Sequence, residues 1–137
     1  MALDYASLEP GQSISNTEFE VDVSLVSAYV DAVGDESGIF DPDDSPSLVP
    51  PMAIAAQSLK TVLDELAIQP GTLHAGQEIE FTKAVEVGER LSCRATVGQN
   101  SVRGDWRFLV VEISTGNASG QGVMSGKSTL MVPVAAS

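Results

Sequence analysis

The sequence predicts an α+β domain in which an antiparallel sheet wraps around one long buried helix. Three observations carry this. Residues 51–67 place apolar side chains at helical spacing. From Leu73 onward the hydrophobic period switches to two, interrupted by short turns. The chain has 137 residues, 43% of them hydrophobic, which bounds it to about one domain (residues 1–137) with enough apolar mass for a core.

Ser13 to Val21 alternates loosely and reads as a first strand. Asp22 or Ser24 can then cap a helix. Val26, Tyr29, Val30 and Val33 lie on one face of it, and Gly34 stops it. Asp35 to Ser47 holds five acids and two prolines in thirteen residues, so it reads as a loop. A connection of that length is often functional. Pro50-Pro51 opens the next helix, as proline does in a first turn. Met52, Ala55, Ala56, Leu59, Val62, Leu63 and Leu66 follow at helical spacing, and Ala53 and Ile54 widen the apolar surface. Up to Leu59 the helix is apolar on every side, which predicts burial all round. Pro70-Gly71 is expected to end it. Gln77–Val85, Arg90–Val97, Trp106–Ser114 and Gln121–Val132 read as four strands. Val87-Gly88-Glu89, Gln99–Asp105 and Thr115–Gly120 are the turns between them, short enough to imply antiparallel hairpins.

Seven Lys and Arg against nineteen Asp and Glu give a net charge of −12, which argues against nucleic-acid binding. The charge is uneven: residues 1–59 contain eleven acids and no Lys or Arg, and all seven basic residues lie in 60–137. An anionic ligand is therefore expected to meet the second half. One cysteine, Cys93, excludes an internal disulfide. One Cys and one His (His74) make a structural metal site improbable, so none is expected. The N-terminus has neither a basic region nor an apolar run, and the nearly apolar stretch at 48–57 is too short to span a bilayer; a cytoplasmic protein is the expectation.

A sheet this size must cover one face, and the apolar helix available to it is 51–67. That arrangement is the hot-dog fold, whose free sheet edge and outer face usually pair with a second copy. Two segments resemble the MaoC-like dehydratase family, especially its N-terminal, FAS1-type half. One is Tyr29-Val30-Asp31-Ala32-Val33-Gly34-Asp35 with Val49-Pro50-Pro51-Met52. The other is Leu73-His74-Ala75-Gly76-Gln77-Glu78-Ile79-Glu80-Phe81 with Val87-Gly88-Glu89, similar to the family's LHGEQ–E–F…GD pattern. The resemblance covers about residues 10–133 in element order.

The resemblance implies hydration of trans-2-enoyl thioesters to (R)-3-hydroxyacyl thioesters, or the reverse dehydration. The substrate would be an acyl-CoA or acyl-carrier-protein thioester, with no other cofactor. Catalytic members carry a motif resembling G-D-x-N-P-x-H, whose Asp and His hold one water and move protons at two positions. Laid on this motif, Gly34-Asp35 matches Gly-Asp, but Ser37 stands at Asn, Gly38 at Pro and Phe40 at His. The carboxylate is kept and the imidazole is not. The resemblance therefore implies a non-catalytic half that shapes the acyl tunnel beside a catalytic MaoC-like partner, in a heterodimer or heterotetramer.

Asp35 is the candidate catalytic residue; otherwise its carboxylate stabilises the loop through the backbone. The candidate substrate-binding residues are Phe40, Pro51, Met52, Ala53, Ala56, His74 and Gln77. Ordinary packing is the alternative for Met52, Ala53 and Ala56, and a structural or interface role for His74. Arg90, Arg94 and Arg107, with Arg103 and Lys127, are candidate phosphate contacts, or simply a solvated sheet face. Cys93 reads as a small core residue. Two other functions fit the same fold: an acyl-thioesterase using Asp35 or a strand glutamate such as Glu78 or Glu80, and a non-catalytic homodimer that binds an acyl thioester.

Overall fold

The computed structural model describes residues 4–37 and 47–134. A 3-10 turn at Tyr5–Ser7 leads to β1 (Ser13–Glu20), α1 (Val23–Val33) and α2 (Pro51–Leu66). Then come β2 (Leu73–Phe81), β3 (Arg90–Arg103), β4 (Trp106–Asn117) and β5 (Gly122–Pro133). Among the described residues the strands form one antiparallel sheet in the order β1-β3-β4-β5-β2. The sheet wraps α2: this is the hot-dog fold.

α1 begins where Asp22 Oδ1 accepts a hydrogen bond from Leu25 N at 2.8 Å. It ends at Gly34, whose φ of 70° suits a residue without Cβ. Of its expected apolar face, Val26 is fully buried, Tyr29 and Val30 are half-buried, and Val33 is 56% exposed. The face thus turns out of the core by the last turn.

Strands β3, β4 and β5 form the expected meander, with β3 and β4 running further than their strict alternation suggested. β3 shifts register between Val97 and Gln99, which hid its continuation to Arg103 from a period-two reading. The expected β2–β3 hairpin does not form: β2 pairs with β5 at the opposite side of the sheet. It also begins and ends four residues earlier than the expected Gln77–Val85. After Phe81 the backbone is used elsewhere. Val49 N bonds Val85 O at 2.8 Å and Val87 N bonds Ser47 O at 2.9 Å. Gly88 N then bonds Val21 O at 2.7 Å, which carries the chain across to β1. β2 lies so close to β5 that a Cβ at Gly126 would overlap the Glu78 carbonyl, so only glycine fits there.

The core lies between α2 and the concave face of the sheet. Ile54, Val62 and Leu66 meet Leu91, Val97, Leu109, Val111 and Val123, all at most 2% exposed. One polar pair sits among them: Ser58 Oγ and Thr115 Oγ1 are 3.0 Å apart and both buried. Cys93 is fully buried on the apolar side of β3, as its alternation predicts. α2 is not buried all round, however. Ala53, Ile54 and Ala55 are buried, but Met52 is 46% exposed and Pro51 and Ala56 are exposed too. A single sheet can cover only one side of a helix, so the apolar residues on the other side have no cover in this protomer.

Candidate functional site

The two ends of α2 differ. At its C-terminus the Tyr5 hydroxyl donates to Leu66 O (2.7 Å) and Ala67 O (3.0 Å), satisfying carbonyls a helix end leaves free. Burial pushes the Tyr5 phenol above its ordinary 10.0. Asn100 Nδ2 donates to Tyr5 O (2.7 Å) and Leu8 O (2.8 Å), and Arg107 Nη1 donates to Asn100 Oδ1 at 2.8 Å. The N-terminal segment is thus tied down over this end.

The N-terminus of α2 is open. Pro50 stands at the cap and makes no side-chain hydrogen bond, and no acid occupies the first turn. Pro51 has no N–H, and Ala53 N is spent on Pro50 O at 2.9 Å. Beside this end lies an apolar cavity of about 210 Å³. Leu48, Pro51, Ile54, Phe81 and Val85 line it, with Lys83 as the one ionic side chain among its lining residues. The pairing of Ser47 and Val49 with Val85 and Val87 makes one wall rigid.

Asp35 follows α1 and is half-buried. Its Oδ1 accepts from Ser37 N at 2.8 Å, the turn expected of an Asp at a loop start. Hydrogen bonds from the Ser37 side chain and then its backbone hold the carboxyl below the usual 3.8. Phe40 lies outside the described residues. His74, the only histidine in the chain, lies on β2 at the sheet edge and is exposed. No hydrogen bond joins it to Asp35. Among the described residues no cluster of His, Cys, Asp and Glu could hold a metal.

The other candidates spread out. Pro51 lines the cavity, while Met52 and Ala56 face outward and Ala53 packs in the core. Gln77 is exposed on β2. Arg90 pairs with Glu18 at 3.1 Å on the outer face. Arg94 lines a wider open groove of about 490 Å³ there, with Glu78, Glu80, Glu112 and Lys127. Lys127 is 4.0 Å from Glu112. This groove is the larger of the two concavities, but it is open, five charged side chains line it, and it lies on the far side of the sheet from α2, so the smaller apolar cavity is the better candidate site. Arg107 is seven positions from Ser114, the residue opposite Arg94, so strand alternation puts it on the other face. The three arginines do not converge. Arg103 lies over the Phe108 ring at 5.7 Å.

A family model, the FAS1-like dehydratase domain region, matches residues 9–126. The chain belongs to this family. Solved structures share its fold. The R-hydratase PhaJ1 from Pseudomonas aeruginosa, unliganded, has a TM-score of 0.79 at 21% identity, over 94% of this chain and 84% of that one. The MaoC-like dehydratase from Rhodospirillum rubrum has 0.76 at 18% identity, over 96% and 97%. The C-terminally truncated HadBC (3R-hydroxyacyl-ACP dehydratase) complex from Mycobacterium tuberculosis has 0.71 at 19% identity, over 90% and 98%. No curated protein matches the chain by sequence. Among the described residues no helix is long and apolar enough to cross a membrane.

For this FAS1-like dehydratase region, the sequence reading missed Lys83, Phe81 and Ile54 as cavity residues. It carried β2 through Val85 and so assigned Lys83 to a strand face. The signal that was available is that Lys83 is the one basic residue between Lys60 and Arg90.

Proposed function

We propose that this chain is the non-catalytic hot-dog subunit of an (R)-specific enoyl-CoA hydratase or 3-hydroxyacyl-thioester dehydratase. It forms one wall of the acyl site beside a MaoC-like partner that carries the complete Asp/His pair. The observation that carries this reading is the lone histidine: with His74 on β2, the loop after α1 has no imidazole to share a water with Asp35. Proton transfer at two substrate positions needs two suitably placed groups, and a single carboxylate engaged with its own loop is one.

Uncovered surface supports a partner. Met52, Ala56, Leu59 and Leu63 form a stripe along α2 that the sheet leaves exposed or half-exposed. β2 is an edge strand of nine residues without Pro or Lys, and Leu73 at its start is 51% exposed. An edge strand presents unpaired backbone groups that can pair with another chain.

The test is crotonyl-thioester hydration by the purified chain, alone and co-expressed with a MaoC-like subunit that has both Asp and His. The chain alone should show no turnover, and the heteromer should be active. Asp35→Asn in the heteromer should keep the rate within about twofold. Turnover by the chain alone, lost in Asp35→Asn or His74→Gln, would reverse the assignment.

A further inference from the structure

Both edges of the sheet, β1 and β2, carry a pair of glutamates two residues apart. On β1, Glu18 and Glu20 lie opposite Ser92 and Arg90 of β3. On β2, Glu78 and Glu80 lie opposite Lys127 and Ser125 of β5. All four are exposed, and the residue between each pair, Phe19 or Ile79, packs against the core. Strand alternation therefore puts all four on the outer face of the sheet, away from α2. The two edges differ in how the charge is met. Glu18 is held by Arg90 at 3.1 Å, whereas Glu78 and Glu80 make no ion pair among the described residues. The cation nearest to them in register, Lys127, also lies opposite Glu112 and is 4.0 Å from it. β2 itself has no Lys or Arg.

These carboxylates bear on which chain can add to the edge. Strands that pair antiparallel keep their faces, so the outward side chains of one lie beside the outward side chains of the other. Two copies of this chain joined β2 to β2 would set four glutamates along one seam. Joining β2 to β1 of another copy would again bring glutamates together, with Glu18 and Arg90 already engaged with each other. Like charges facing each other across strands destabilise pairing, and repulsion of this kind separates a wrong partner from a right one. Building on the heteromeric reading above, we propose that Glu78 and Glu80 disfavour a second copy and select a hot-dog subunit whose facing edge strand presents Lys or Arg at two outward positions, two residues apart. The free backbone groups of β2 supply the attachment, and the glutamates choose what attaches. They are selectivity residues and take no part in proton transfer.

Self-association of the full chain tests this without a partner or a substrate. In sedimentation equilibrium at low salt, Glu78→Gln/Glu80→Gln should dimerise about tenfold more tightly than the native chain. Salt at about 1 M, where the screening length falls to about 3 Å, should remove most of that gap. Glu9→Gln/Asp105→Asn, the same loss of charge at exposed positions off the edge, should leave the native constant unchanged. Glu80→Lys stands in for a basic edge. Mixed with the native chain at low salt, it should give more mixed dimer than statistical exchange, with thermal unfolding confirming that each variant is folded. Gln77 is exposed on the same edge and Cys93 is buried, so Gln77→Cys in the neutralised double variant should join two copies through a short bis-maleimide. Equal self-association of the native and neutralised chains, no dimer from the neutralised chain, or statistical mixing with Glu80→Lys would each overturn the role of the glutamates. A neutralised dimer that Gln77→Cys fails to cross-link would overturn β2 as the docking edge. The hydration assay with a catalytic subunit would stand in every case as the separate test of the heteromeric reading.

Discussion

The two ends of α2 are built from the same helix and finished in opposite ways. At the Leu66 end a buried tyrosine, an asparagine and an arginine are spent on closing the structure, and each polar atom is matched at 2.7–3.0 Å. At the Pro51 end the helix has no side-chain cap, its outer residues are exposed, and a cavity opens beside it. The difference teaches where stability and function divide. Hydrogen bonds that tie a chain terminus to a helix end lock the fold, whereas an uncapped positive helix pole beside apolar walls is left for a ligand or a partner.

The sharpest way to break that contrast is by truncation. Leu66 is fully buried at the closed end and Met52 is 46% exposed at the open one. Leu66→Ala should cost about 3 kcal/mol, whereas Met52→Ala should stay within about 0.5 kcal/mol in the isolated chain. Urea unfolding of the two variants measures both. Equal losses would mean that Met52 is covered in solution and that the open end is not open.

The middle of the helix offers a second test. Ser58→Ala leaves the Thr115 hydroxyl buried without its 3.0 Å partner and should cost about 2 kcal/mol. The double change Ser58→Ala with Thr115→Val removes both polar atoms and should recover much of that loss. No recovery in chemical denaturation would show that the pair acts separately on other neighbours.

Tyr5→Phe tests the closure directly and should cost about 1–2 kcal/mol, because two helix-end carbonyls lose their donor. It also carries a pH signature. The folded phenol titrates above 10.0, so its contribution is whole below that value and is lost as pH rises through the folded pKa. Thermal melts of the native chain should fall more steeply above pH 10 than those of Tyr5→Phe. Parallel alkaline curves would mean that the hydroxyl is not held at the helix end.

Much of this contrast was written in local sequence, and the rest was not. The Asp22 cap, the Gly34 stop and the inward Cys93 follow from short-range rules and are found as expected. The partner of β2 was not legible, because nothing in residues 73–89 records that Val85 and Val87 bond to Val49 and Ser47 instead of continuing a hairpin. The Tyr5 closure was hidden for the same reason: its hydroxyl acts across 61 residues of sequence. At the site, periodicity marks Pro51 and Met52 as parts of one apolar helix but cannot say which side the sheet will cover. The absence of a second histidine needed no fold at all to read.

Asp35 follows α1 and should give the smallest effect, yet its sign is fixed. Its carboxyl titrates below 3.8 because the Ser37 hydroxyl and amide favour the charged form. A depressed folded pKa gives a contribution that is present above the unfolded value and lost as pH falls through the folded one. Asp35→Asn keeps an oxygen for Ser37 N but loses the charge. The native chain should therefore melt slightly higher than Asp35→Asn at pH 7, and the gap should close in acid below the ordinary carboxylate range. A gap that widened in acid would require the Asp35 carboxyl to be protonated more readily in the folded chain than in the unfolded one. That is the behaviour of a buried acid poised for proton transfer, and it would restore Asp35 to a catalytic role.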